Sequence, residues 1–83
     1  MEVTVKLFAI LGKYLPPHAI HNTVRMDLAA GTSVAQLLRH LHLPLALTPV
    51  VLVNGDYITP STHERTPLAP GDEVAVFPPV SGG

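Results

Sequence analysis

Apolar and polar side chains alternate at the start of the chain: Val3, Val5, Leu7 and Ala9 share one parity, while Thr4, Lys6 and Phe8 take the other. A period of two is that of a half-buried strand, so the chain is expected to open with one. From Leu11 to His21, Gly12, Pro16 and Pro17 interrupt any period and predict a loop, with room for a short turn of helix near Lys13 to Leu15. Alternation resumes with Val24, Met26 and Leu28 against Thr23, Arg25 and Asp27. This second strand is expected to form a hairpin with the first across a long connection.

The period then changes. Ser33-Val34-Ala35-Gln36 has the spacing of a capping box, in which the serine hydroxyl and the glutamine side chain satisfy orphan amides reciprocally. Val34, Leu37, Leu38 and Leu41 follow at i, i+3, i+4 and i+7, one apolar stripe, and Pro44 is expected to end the helix by disfavouring helical geometry at Leu43. Val50 to Val53 is an apolar, β-branched run closed by Asn54-Gly55, the pair preferred where both central residues of a hairpin turn need positive φ. Asp56, Tyr57 and Ile58 form the short return strand. Thr59 to Pro70, with Pro60, Pro67 and Pro70, reads as loop, and Pro70-Gly71-Asp72 turns into a last strand from Glu73 to Phe77.

The order strand, strand, helix, strand, short strand, strand predicts an α+β domain: a mixed sheet of about five strands with one main helix on one face. The first and last strands are expected to pair in parallel at its centre. Residues 1–77 read as one domain and 78–83 as a flexible tail. Pro78 and Pro79 lack a backbone donor and fix φ, so no regular element continues past Phe77. Parity also puts Phe8 and Phe77 on the sheet face away from the helix, with Tyr57 near. Aromatic side chains clustered and exposed in that way predict a partner interface.

Composition narrows the function classes. The chain has 83 residues, 47% hydrophobic and 13% charged, ample for one core. Five Lys and Arg against six Asp and Glu give a net charge of -1, which offers no footprint for nucleic acid or anionic lipid, so a protein partner is expected. With no cysteine, disulfides, cysteine-ligated metals and thiol nucleophiles are excluded, and any sulfur must arrive from another protein. The polar and apolar alternation of the first residues is unlike a signal peptide, no run reaches membrane-spanning length, and a cytoplasmic location is expected. The five histidines lack cysteine or carboxylate neighbours at ligand spacing, so no metal is expected. Asp72 and Glu73, adjacent on a turn and a strand, point apart and read as turn residues rather than an acid/base pair. Ser61, Thr62 and His63 read as ordinary loop chemistry.

The series Gly71-Asp72-Glu73-Val74-Ala75-Val76-Phe77-Pro78-Pro79-Val80-Ser81-Gly82-Gly83, with Val51-Leu52-Val53-Asn54-Gly55 and the element order, resembles the MoaD/ThiS family of ubiquitin-like sulfur carriers, above all the molybdopterin synthase small subunits. The resemblance spans essentially the whole chain and implies a β-grasp fold and a carrier without catalysis of its own. It implies that an adenylyltransferase of the ubiquitin-activating type, using ATP and magnesium, converts the Gly83 carboxylate into an acyl adenylate. A sulfur donor such as a cysteine desulfurase or rhodanese would then give the thiocarboxylate. The tail of Pro78, Pro79, Val80, Ser81 and Gly82 would insert into the large synthase subunit, within a heterotetramer, and Gly83 would give its sulfur to precursor Z in molybdenum or tungsten cofactor biosynthesis. The same likeness extends to carriers for thiamine thiazole or tRNA thiolation, and to protein modifiers that join Gly83 to lysines of their targets.

The residues themselves agree with a carrier. The chain has no Gly-x-x-x-x-Gly-Lys-[Ser/Thr] phosphate loop, so it is expected to bind no cofactor itself and to leave ATP and magnesium to a partner. Gly82 and Gly83 pass a narrow channel without Cβ clashes. Six extended residues from Pro78 reach up to roughly 20 Å.

Overall fold

The computed structural model describes residues 1–79, the Leu45 side chain aside. The expectations placed on Val80, Ser81, Gly82 and Gly83 lie outside the described residues. Strands β1 (Glu2–Leu7), β2 (Thr23–Asp27), β3 (Val50–Val53), β4 (Asp56–Ile58) and β5 (Glu73–Phe77) accompany one α-helix, α1 (Val34–His40). Three 3-10 helices cover Ala9–Tyr14, Leu45–Leu47 and Pro60–Arg65. The sheet order is β2-β1-β5-β3-β4, with β1 and β5 parallel at the centre and the other neighbours antiparallel. This is the mixed α+β arrangement that the order of periods predicted, and it agrees with the β-grasp fold that the resemblance implied. No helix among the described residues is long and apolar enough to cross a membrane.

Parity decides what each face of the sheet carries. Val3, Val5 and Leu7 of β1, Val51 of β3 and Val74 and Val76 of β5 are buried against Val34, Leu37 and Leu38 of α1. Their odd-numbered or even-numbered neighbours, Thr4, Lys6, Leu52, Ala75 and Phe77, are half-buried on the opposite, uncovered face. The helix begins as its sequence dictates: Ser33 Oγ accepts from Gln36 N–H at 3.1 Å, and Gln36 Oε1 accepts from Ser33 N–H at 2.9 Å. Asn54 at φ +51° and Gly55 at φ +87° make the tight turn between β3 and β4.

Four local expectations are corrected. Strand β1 stops at Leu7, because Ala9 turns to φ +53° and starts the 3-10 helix Ala9–Tyr14, longer than a turn near Lys13 to Leu15. What drives it is tertiary: the coil swings Leu11, whose N–H donates to Phe8 C=O, fully into the core. The helix α1 ends before Pro44 has any say. His42 at φ +60° donates to Arg39 C=O while Leu43 N–H reaches Leu38 C=O, the paired bonds of a Schellman cap with Leu38 and Leu43 both buried. Within Thr59–Pro70, Pro60 opens a 3-10 helix as its first residue rather than breaking structure. The connection before β2 also ends in a second tight turn, His21 and Asn22 both at positive φ, with Ile20 and Thr23 bonded to each other at 3.0 Å in both directions.

Candidate docking face and tail root

Because β1 and β5 run parallel, both end at the same pole of the sheet, and the antiparallel β2 and β3 begin there. The tail leaves from that pole. Its root is held on both sides, since β5 pairs with β1 and with β3, and Phe8 N–H donates to Val76 C=O at 3.0 Å. The start of β5 is fixed by a compact network. Asp72 Oδ2 accepts from Ala69 N–H at 2.8 Å and Oδ1 from Asn54 Nδ2 at 2.9 Å, while Asn54 Oδ1 accepts from Glu73 N–H at 2.9 Å. Asn54 thus couples the β3–β4 turn to the strand that bears the tail.

Phe8 and Phe77 meet at the pole with ring centroids 4.3 Å apart and planes 4° from parallel. Tyr57, 55% exposed, stands on the same uncovered face but in the neighbouring transverse row, opposite Leu52, which in turn is opposite Ala75. The structure therefore brings Phe8 and Phe77 into contact and sets Tyr57 apart at the outer strand. Pro78 is half-buried and Pro79 exposed, the last two described residues of the tail. Lys6 Nζ lies 3.3 Å from Glu73 Oε1 on this face, a partly exposed pair.

Other candidate chemistry has structural employment. Asp72 and Glu73 serve the turn and the Lys6 pair, as described. His63 is buried in the third 3-10 helix with Nε2 3.1 Å from Ile58 C=O, and Thr62 Oγ1 donates to Thr59 C=O. Among the described residues no three of His, Cys, Asp and Glu come together as a metal site. On the helix side, a cleft of ≈ 290 Å³ runs between α1 and the third 3-10 helix, walled by Ala35, Leu38, Pro49 and Pro60. At its rim Arg39 and Glu64 form a two-point ion pair at 2.6 and 3.4 Å. The hydrogen bond from Arg39 holds the Glu64 carboxyl below the usual range, and the bond to Glu64 raises the Arg39 guanidinium. Sequence reasoning passed over Ile10 and Ile20, exposed at 65% and 68%. Their only signal is a large apolar residue inside a segment without any period.

The model of the ThiS family matches residues 5–83, nearly the whole chain and the Gly-Gly end with it. The chain belongs to the ThiS family. Among solved structures, SAMP1 of Haloferax volcanii, a small archaeal modifier protein, is 31% identical over 100% of both chains with a TM-score of 0.68. The thiamine biosynthesis protein ThiS of Geobacter metallireducens, 23% identical, superposes with a TM-score of 0.69 over 100% of both chains. A chain in the complex of subunits 1 and 2 of the molybdopterin-converting factor of Helicobacter pylori, 22% identical, gives 0.62 with the same coverage. The last two likenesses are those of the fold. No curated protein matches the chain. This ThiS-family chain thus has the ubiquitin-like fold that sulfur carriers and protein modifiers share.

Proposed function

We propose that the chain is a sulfur carrier whose reactive group is the carboxylate of Gly83. The observation that carries this reading is the family match, which runs through the double proline to the final Gly-Gly. A carboxylate is a poor acyl donor, so it must be activated. Its oxygen attacks the α-phosphorus of ATP on an adenylyltransferase of the ubiquitin-activating type and pyrophosphate leaves. The outer sulfur of a donor protein's persulfide then displaces AMP to give an acyl disulfide, and a thiol reductant cleaves its S–S bond to leave the thiocarboxylate and a disulfide. ATP and magnesium belong to that enzyme. The described body contributes a rigid base: β5 is paired on both edges, so the tail starts from a fixed point and direction.

Within this reading the sulfur goes to molybdopterin, with this chain as the small synthase subunit and its tail in the large subunit. The Pro78-Pro79 stiffener supports that choice. A second reading, a protein modifier that joins Gly83 to target lysines, is favoured by the 31% identity to SAMP1 over both whole chains. Intact mass after incubation with an activating enzyme of the same genome, ATP and sulfide separates them. Exchange of one terminal oxygen for sulfur is the carrier result, and a ladder of heavier conjugates in a lysate is the modifier result. An unchanged mass with every such enzyme overturns both. Deleting Gly83 should abolish charging and leave unfolding unchanged.

A further inference from the structure

Among the described residues, Ile10 and Ile20 are the large aliphatic side chains that the fold leaves most open, at 65% and 68% exposure, and both sit at the pole where the tail departs. Ile10 lies in the first 3-10 helix, which packs on the ends of β1 and β5. Ile20 is paired with Thr23, the first residue of β2, through two hydrogen bonds of 3.0 Å. Antiparallel partners direct their side chains to one side. Thr23 is opposite Lys6, and Lys6 is opposite Ala75. Ile20 therefore faces the uncovered side of the sheet, and it closes a transverse row that runs through Thr23, Lys6, Ala75 and Leu52 to Tyr57. With strands about 4.8 Å apart that row is roughly 24 Å wide, exposed apolar at both ends.

The length of the tail says what must cover this pole. Four residues beyond Pro79 reach at most about 14 Å. An enzyme that encloses the Gly83 carboxyl must therefore bring its own surface within that distance of Pro79, across the end of β5 and the 3-10 helix beside it. We infer that Ile10 and Ile20 are anchoring residues for the activating adenylyltransferase, which meets them with an apolar surface while its channel takes the tail. They extend the contact beyond the Phe8 and Phe77 pair onto the connection between β1 and β2. The inference rests on the proposed activation of Gly83. Single exposed apolar residues are common, and it is the shared pole that distinguishes these two, Ile10 in the 3-10 helix beside β5 and Ile20 three strand spacings, roughly 14 Å, to the side of β5.

Pyrophosphate exchange by the purified activating enzyme, with the full chain as titrated substrate, tests the assignment. Ile10→Asp and Ile20→Asp should each raise KM roughly tenfold or more with kcat within about twofold, since binding is lost but the tail chemistry is intact. Ile10→Leu should keep the wild-type KM, and Ile10→Ala and Ile20→Ala should fall between. Thermal unfolding of each variant shows that the fold persists; an Asp variant that unfolds is replaced by its Ala counterpart. Unchanged KM in both Asp and Ala variants, with the wild type charged normally, overturns the anchoring role and leaves the carrier reading standing. A wild-type chain that no activating enzyme charges removes both.

Discussion

Phe8 and Phe77 stack almost parallel, centroids 4.3 Å apart, although 69 positions separate them in sequence. The contact follows from the parallel pairing of β1 with β5, which brings the residue after β1 beside the residue that ends β5. Both rings are half-buried, so their worth combines partial burial with a specific ring-to-ring term. Phe8→Ala and Phe77→Ala should each cost about 1–3 kcal/mol in urea unfolding. In the double-mutant cycle a coupling of about 0.5–1.5 kcal/mol is expected. Strict additivity would mean that the two rings only happen to lie close.

His42 ends α1 in the left-handed region, at φ +60°, where a Cβ is a steric burden. Its two neighbouring bonds, His42 N–H to Arg39 C=O and Leu43 N–H to Leu38 C=O, use only backbone and survive any replacement. His42→Gly should therefore stabilise the protein, by about 0.5–1 kcal/mol. The midpoint of thermal unfolding reports it, and a lowered midpoint would show that the imidazole does more than occupy the cap.

How far the chain could be read without coordinates depended on whether a residue's place is set locally. The alternation in Val3, Val5 and Leu7, the Ser33–Gln36 box and Asn54-Gly55 are local devices, and all appear where their spacing put them. With β1 and β5 parallel, parity alone makes Phe8 and Phe77 neighbours. The misses are positions where tertiary burial chose the backbone. Leu11 and His63 are drawn inward by 3-10 coils that no period announces, and His42 takes a conformation that sequence normally assigns to glycine. Ile10 and Ile20 could have been flagged as apolar residues in a segment broken by prolines, but nothing local says that they stay exposed.

Asp72 is the keystone of the turn into β5, with one carboxylate oxygen on Ala69 N–H and the other on Asn54 Nδ2. Asp72→Ala should cost about 1–2 kcal/mol, since two donors lose a charged acceptor at a site that water still reaches. Asn54→Ala, which also frees Glu73 N–H, should cost about as much, and amide exchange at Glu73 should quicken in both variants. Unaltered exchange at Glu73 would show that pairing with β1 and β3 alone secures the strand.

The Arg39–Glu64 pair joins α1 to the third 3-10 helix across 25 positions, with both side chains well exposed. The hydrogen bond from Arg39 and, more weakly, its positive charge lower the Glu64 carboxyl, while partial desolvation opposes them. A carboxyl lowered on folding stabilises the native state above its unfolded value near 4.3, and that contribution disappears as pH falls through the lower folded value. Arg39, raised on folding, keeps its charge and its contribution throughout this range. Glu64→Gln should accordingly unfold at slightly lower temperature than the wild type near pH 7, and the two should converge as pH drops below about 4. Added salt should shrink the difference at pH 7, because an exposed pair is readily screened. A gap that stays constant from neutral to acid pH would assign the effect of Glu64 to packing beside the cleft instead of to its charge.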